Sequence, residues 1–319
     1  MAQQDLRTVV IANPQSAGGA LARRWSQVAG LLHAQLGPHQ LRFTRQPGDA
    51  RVLSRAALDE GFELVVAVGG DGTISEVVDG LFDEHGPRCP EVVVGLLHFG
   101  TGGDFSRSTG TPRRLRSGIE ALSGAATTSI DVGRVHYCTA DGTPQTRHFV
   151  NIASFGLAGL VDQLANASSK ALGGRLSFAL ATARAVRRYR PARIALRLDD
   201  GASETLTVQN VAVANGRYFG GGMRIAPAAE LDDGLFDVVT IEALSALEML
   251  RHGHRLYRGT HLGLPQVRVQ RARRVEALPL DPDVAVLLDV DGEAPGRLPA
   301  RFELLPRALR LRVAELGRP

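Results

Sequence analysis

Leu64-Val65-Val66-Ala67-Val68 runs directly into Gly69-Gly70-Asp71-Gly72-Thr73, and Ile74–Phe82 follows with helical spacing of its apolar residues. An apolar run without alternation is the pattern of a strand buried on both faces. Glycines after it, then a helix, make a strand–loop–helix unit. The same order stands on either side of this stretch. Upstream, Thr8–Ala12 leads into Asn13-Pro14-Gln15-Ser16-Ala17-Gly18-Gly19 and a helical pattern over Ala20–Leu36. Downstream, Val92–Leu97 leads into Gly100-Thr101-Gly102-Gly103-Asp104-Phe105. Such repetition predicts an α/β domain with a parallel sheet, whose loops gather at the carboxyl edge where ligands bind.

Each loop offers backbone amides and small or hydroxyl side chains. Glycines allow close approach of the backbone to an anion, and the following helix supplies unpaired N–H groups. Asp71 would repel a phosphate directly; it suits a Mg²⁺ bridging nucleotide oxygens, or a charge network around that ion. A tight turn with Asp as local cap is the competing reading of Gly69–Thr73. Neither a G-x-x-x-x-G-K-[ST] loop nor a G-x-G-x-x-G turn between strand and helix is present.

Past about Asp131 strand patterns dominate: Val132–Tyr137, His148–Ile152, Ile194–Leu198, Thr205–Ala214, Leu235–Ile241, Val284–Val290 and Leu309–Val313, with helices near Gly174–Tyr189 and Ala246–Arg258. The expected division is a nucleotide domain over 1–132, with a tail of about 306–319 returning to it, and a β-rich domain over 133–305. Eight basic residues and no acid lie between Gln163 and Leu198, and seven arginines and no acid between Met249 and Val275. These stretches suit phosphates, nucleic acid or an anionic membrane, or are simply solvated faces. Two cysteines, Cys89 and Cys138, are too few for a disulfide framework or zinc site, and fit a reducing cytoplasm. The N-terminus lacks a signal pattern, and the uncharged apolar stretch Val150–Val161 is too short to span a bilayer.

Asn-Pro-x-Ser at 13–16, Gly-Gly-Asp-Gly-Thr at 69–73 and Gly-Thr-x-x-Asp-Phe at 100–105 resemble the diacylglycerol kinase catalytic domain, shared with sphingosine, ceramide and bacterial lipid kinases. The resemblance continues through Asp131-Val132-Gly133, Asn151–Gly156, Asn215–Gly222, Ala226-Pro227, Asp232–Asp237 and Asp291-Gly292-Glu293. It implies a nucleotide domain like those of NAD kinases and phosphofructokinases, followed by a β-rich, sandwich-like domain, with ATP in the cleft between. Carried over by motif, Asn13, Pro14, Gln15, Ser16, Ala17, Thr44, Gly69, Gly70, Asp71, Gly72, Thr73, Ile74, Ser75 and Thr101 contact ATP. Glu293 is the catalytic base, with Asp291 and Asp71 as the other catalytic carboxylates. A structural Mg²⁺ is implied at Asp233 and the main-chain carbonyls of Glu230 and Leu235.

The chemistry agrees with those roles. A lipid hydroxyl is a poor nucleophile at neutral pH and benefits from a positioned carboxylate. The chain departs from the family pattern at His98, Gly103 and Ser75, where Pro, Asn and Asn are usual. The resemblance implies a lipid partner met by peripheral contact at the inner membrane surface from the cytoplasm, with no nucleic acid, and allows a homodimer. A soluble-metabolite kinase and a catalytically silent nucleotide- or lipid-binding protein are the alternatives.

Overall fold

A computed structural model describes residues 6–100, 102–124, 126–167 and 174–313. The chain divides into two units, one running to Val132 and resuming at Leu305, the other spanning Gly133–Leu304.

The first unit begins β1 (Thr8–Ala12), α1 (Ser16–Leu36), β2 (Gln40–Phe43), α2 (Asp49–Asp59), β3 (Leu64–Gly69) and α3 (Asp71–Gly80). A short hairpin, β4 (Phe82–Asp83) and β5 (Gly86–Pro87), precedes β6 (Val93–His98), α4 (Asp104–Thr109) and α5 (Leu115–Ser123). Strands β2, β1, β3 and β6 pair in parallel in that order, and Arg310-Leu311 of the last strand adds to the edge beside Val93-Val94. Every residue of β1, β3 and β6 is buried, which is why their sequences carry no polar alternation. Val10, Val66, Leu97, Leu21, Leu32 and Leu122 form the core between sheet and helices. The sheet's carboxyl edge therefore carries the loops after β1, β3 and β6 side by side.

The second unit holds β7 (Thr127–Cys138, from Gly133), β8 (Pro144–Phe149), β9 (Ile152–Gly156), α6 (Leu157–Ala167), α7 (Gly174–Arg188), β10 (Ala192–Leu198), β11 (Glu204–Ala214) and β12 (Phe236–Glu242). It continues through α8 (Ala246–Arg258), β13 (Val267–Ala272), β14 (Arg274–Pro279), β15 (Leu288–Val290) and β16 (Arg297–Arg312, to Leu304). Its pairings are antiparallel, and β11 is the hinge of the layout: β12 lies on one edge, while β10 and then β9 share the other. Phe149 stacks on Phe236 at 5.7 Å and Phe155 on Phe302 at 6.0 Å inside the main core. A second cluster, with Ile152, Ala212, Ile225 and Val239, fills another face of the same strands.

Several local expectations change. The single strand read over His148–Ile152 is two strands, broken where the amides of Val150 and Asn151 turn to Asp291. The run Val284–Val290 contracts to β15, and the strand read from Leu309 begins at Arg297. Strands β13 and β14 escaped notice because arginines interleave with their apolar residues. Those arginines meet acids of neighbouring segments: Arg268 with Glu204 and Glu242, Arg271 with Asp233 and Asp237, Arg274 with Asp200. Among the described residues no helix is long and apolar enough to cross a membrane.

Candidate functional site

In the first unit the three loops are braced to one another. Asn13 continues the ladder through its N–H to the Val68 carbonyl at 3.0 Å, and its Nδ2 donates to Thr73 Oγ1 at 3.1 Å. Its Oδ1 accepts the Gln15 N–H at 2.9 Å, which folds Pro14 and Gln15 back over the strand end. Ser16 is buried, and Ala17, Gly18 and Gly19 follow with left-handed φ of 53°, 65° and 78°, so regular helix starts only after them. Thr44, also buried, donates its N–H to the Ala12 carbonyl and stands beside the first loop.

The second loop closes on the third. A Cβ at Gly69 would stand 2.6 Å from the Thr73 side chain, and one at Gly100 would stand 3.0 Å from the Gly70 Cα. Nothing larger than glycine keeps this approach. Asp71 Oδ2 accepts the Gly103 N–H at 2.7 Å and the Asp104 N–H at 3.4 Å, while Oδ1 accepts the Phe105 N–H at 3.4 Å. Asp71 is thus the brace between the two loops. Ile74 and Ser75 are buried in the first turns of α3. The helix begins at Asp71 and faces its first-turn amides, from Gly72 and Thr73 onward, to the loop cluster, a ready place for a phosphate. Thr101 lies outside the described residues.

Sequence reasoning missed Glu76, whose two oxygens accept the N–H groups of Gly48 and Ala50 at 2.8 and 3.2 Å and so anchor α2. Its spacing from Asp71 on one helix was the only available signal. His98 is buried, and its Nε2 meets the Gly100 carbonyl at 3.1 Å. Burial holds its pKa below the ordinary imidazole value, with the Asp71 charge pulling the other way.

In the second unit the motifs at 151, 215 and 291 come together. Asp291, at φ 51°, accepts the N–H groups of Val150, Asn151 and Ile152 at 3.1, 3.1 and 3.0 Å. Asn215 holds the Val150 carbonyl through Nδ2 at 2.8 Å, and Asn151 holds the Tyr218 carbonyl at 2.7 Å. Left-handed Asp291 and Gly292 reverse the chain, so that Val290 and Glu293 exchange backbone hydrogen bonds. Glu293, partly exposed, faces the buried Arg147 guanidinium at 2.6 Å.

Behind this turn lie two carboxyls that the sequence did not single out. Asp289 Oδ1 accepts the Gly292 N–H at 2.8 Å and Oδ2 accepts the Ser154 hydroxyl at 3.0 Å. Asp162 of α6 hydrogen-bonds to Asp289, and burial first, then the Asp289 charge, raises its pKa well above the carboxylate range. Burial raises Asp289 as well. The hydrogen bonds that Asp289 accepts from Gly292 and Ser154 offset part of that rise.

Burial pushes the Asp291 carboxyl up to about 6 from 3.8, against the lowering pull of its three amides and Arg147. In that window the folded chain binds the proton and the unfolded chain does not, so stability from this group is complete below the unfolded value and fades as pH rises through the folded one. Denaturation of wild type and Asp291→Asn between about pH 4 and 7 should show the wild-type advantage shrinking with rising pH and levelling above about 6. A difference independent of pH would mean that Asp291 does not titrate there.

Asp233 sits on the loop with Glu230 and Leu235. Its Oδ1 accepts the Leu235 N–H at 3.0 Å, and Arg271 pairs with Oδ2 while lying 3.5 Å from Asp237. Burial, then the Glu230 charge, raises the Asp237 pKa. Among the described residues no group of three or more His, Cys, Asp or Glu side chains is laid out for a metal. As arranged, the Arg271 guanidinium supplies the positive charge beside Asp233; a divalent ion held by Asp233 with the main-chain carbonyls of Glu230 and Leu235 would take over that role.

Residues 7–135 match the diacylglycerol kinase catalytic domain, and residues 151–313 match the YegS C-terminal NAD kinase beta sandwich-like domain. A Bacillus subtilis protein named diacylglycerol kinase is 28% identical over 94% of this chain and 94% of its own. Its Mycobacterium tuberculosis namesake is 29% identical over 96% and 94%. Among solved structures, a diacylglycerol kinase from Bacillus anthracis str. Sterne superposes with a TM-score of 0.69 at 18% identity, covering 97% of each chain. Yeast NADH kinase superposes at 0.54 with 14% identity, covering 100% of this chain and 86% of its own. The last two likenesses concern the fold.

Proposed function

The chain belongs to the diacylglycerol kinase catalytic-domain family in its two-domain, YegS-type form, and on that premise we propose that it transfers the γ-phosphoryl of ATP to the hydroxyl of diacylglycerol or a similar lipid. The observation that carries this reading is the Asp291-Gly292-Glu293 turn, pinned by three amides and presenting a carboxylate against Arg147.

Glu293 is the general base. Arg147 fixes Oε2 and leaves Oε1 for the proton of the lipid hydroxyl. As that proton transfers, the lipid oxygen attacks the γ-phosphorus, and ADP departs with the bridging oxygen's electron pair. Asn13–Ala17, Thr44, Gly69–Ser75 and Thr101 hold the nucleotide, with phosphate oxygens at the first-turn amides of α3. Mg²⁺ would arrive as the nucleotide's counter-ion and neutralise charge on its phosphates. Asp71 keeps the second and third loops at the spacing that the phosphates require. Access to such a lipid calls for peripheral contact with a membrane.

Transfer of labelled γ-phosphate is the direct test. Diacylglycerol, sphingosine, ceramide and phosphatidylglycerol are offered in mixed micelles beside soluble NAD. A labelled diacylglycerol product is the expected result. Label on NAD alone would move the chain to the metabolite kinases. Bound ATP with no label on any acceptor would favour a binding protein.

A further inference from the structure

Helix α8 turns two unlike faces outward and inward. Leu256 packs with Phe219, Ile241 and Leu262 on the second core cluster of its unit. On the opposite side Leu247, Leu250 and Tyr257 are 74%, 81% and 56% exposed. At helical spacing these three, with exposed His254 between them, make one stripe. Exposed Arg251 and Arg258 run along one border of it, with Arg255 beyond them. Large apolar side chains left this far in water, in a row, mark a contact surface.

The helix is firmly built. Ser245 and Glu248 form a capping box, and Gly259 ends it in a left-handed turn with its N–H on the Arg255 carbonyl. The single acid on α8, Glu248, is used by that cap and faces His252. Among the described residues no carboxylate pairs with Arg251, Arg255 or Arg258. The arginines of β13 and β14 behave differently, since Arg268, Arg271 and Arg274 each have acidic partners. The acid-free stretch from Met249 to Val275 thus splits into a sheet half, where three of four arginines pair with acids, and a helix half where, among the described residues, none does.

An apolar stripe bordered by uncompensated positive charge is the pattern of a helix lying in a membrane interface. We infer that α8 docks the second unit on an anionic bilayer, with Leu247, Leu250 and Tyr257 at the headgroup–acyl boundary and Arg251 and Arg258 on lipid phosphates. Choosing a bilayer over another anionic, apolar partner rests on the lipid-substrate reading. A second copy of the chain fits less well, because an antiparallel self-complementary contact would set arginine border against arginine border.

Flotation of the full-length protein with phosphatidylcholine vesicles, with and without phosphatidylglycerol, tests the inference. Wild type should float with the anionic vesicles. Arg251→Gln/Arg258→Gln should weaken partitioning about 30-fold, at about 1 kcal/mol per basic residue near the surface. Leu247→Ser/Leu250→Ser/Tyr257→Ser should weaken it at least as much. All three proteins should phosphorylate a water-soluble short-chain diacylglycerol equally, which also shows that the variants fold. Vesicle binding unchanged in both variants overturns the inference while leaving the kinase reading intact. So does a variant that changes sedimentation but not flotation, since α8 would then be a face between copies. Binding lost in the variants, from a wild type that phosphorylates no lipid, upholds the docking surface and removes the lipid-kinase reading instead.

Discussion

Glu293→Gln should lower lipid phosphorylation by about 10²–10⁴-fold, the usual contribution of a positioned general base. Glutamine keeps the size of the side chain and an oxygen for Arg147, so the turn built on Asp291 stays in place. What disappears is the capacity to accept the hydroxyl proton. ATP affinity should not change, because the residues assigned to the nucleotide lie in the first unit. A stability loss should accompany the change, since buried Arg147 loses its ion pair with Glu293. Partial exposure of Glu293 limits that loss to about 1–2 kcal/mol, below the value for a fully buried pair. Steady-state kinetics with ATP and diacylglycerol, beside a thermal melt, separates the two effects. Wild-type kcat in the variant would assign the proton to another group.

The first unit was legible because its strands are buried on both faces and its loops are glycine-rich. Periodicity, punctuation and the absence of polar alternation all agree there. The second unit was harder for a physical reason. Arginine occupies outward positions of β13 and β14, so the strands read as a charged stretch rather than as alternation. The motif at 291–293 was legible as a turn, but not its supports. Ser154, Asp162 and Arg147 lie more than a hundred residues away in the chain, and long-range contacts such as the pairing of β9 with β15 and the bonds from the 150–152 amides to Asp291 bring them near.

The departures at His98 and Gly103 looked like two separate losses in the sequence. In the structure they are neighbours. Gly103 adopts φ 79°, and a Cβ there would stand 2.9 Å from His98 Nε2 and 2.8 Å from Arg113 Nε. The imidazole and the guanidinium thus occupy the space that a side chain at 103 would need. Arg113 also donates to the Gly102 carbonyl at 3.0 Å, tying the third loop down from outside. No periodicity encodes such an exchange, since it depends on two side chains converging from a strand end and a distant loop.

Asp71→Ala should be the most damaging single change in the first unit. Three backbone amides of the third loop lose their acceptor. The Gly103 bond is short and charge-assisted, the other two are long, so a stability loss of about 2–4 kcal/mol is expected. Activity should fall by at least about 10²-fold, because a shift of about 1 Å in a substrate-positioning loop is enough for that. The mechanism can be separated from direct metal binding by Asp71→Asn. An amide in place of the carboxylate retains one acceptor oxygen but sets an NH₂ against the remaining N–H groups. If Asp71 is a brace, both variants stay impaired as Mg²⁺ is raised, and the Asn variant is the less unstable. Recovery of Asp71→Asn at high Mg²⁺, with normal stability, would make the carboxylate a metal partner first. The brace reading also demands a rise in KM for ATP along with the fall in kcat. Gly69, Gly70 and Gly100 keep their close packing only while Asp71 holds the third loop against the second, so nucleotide binding and phosphoryl alignment must deteriorate together.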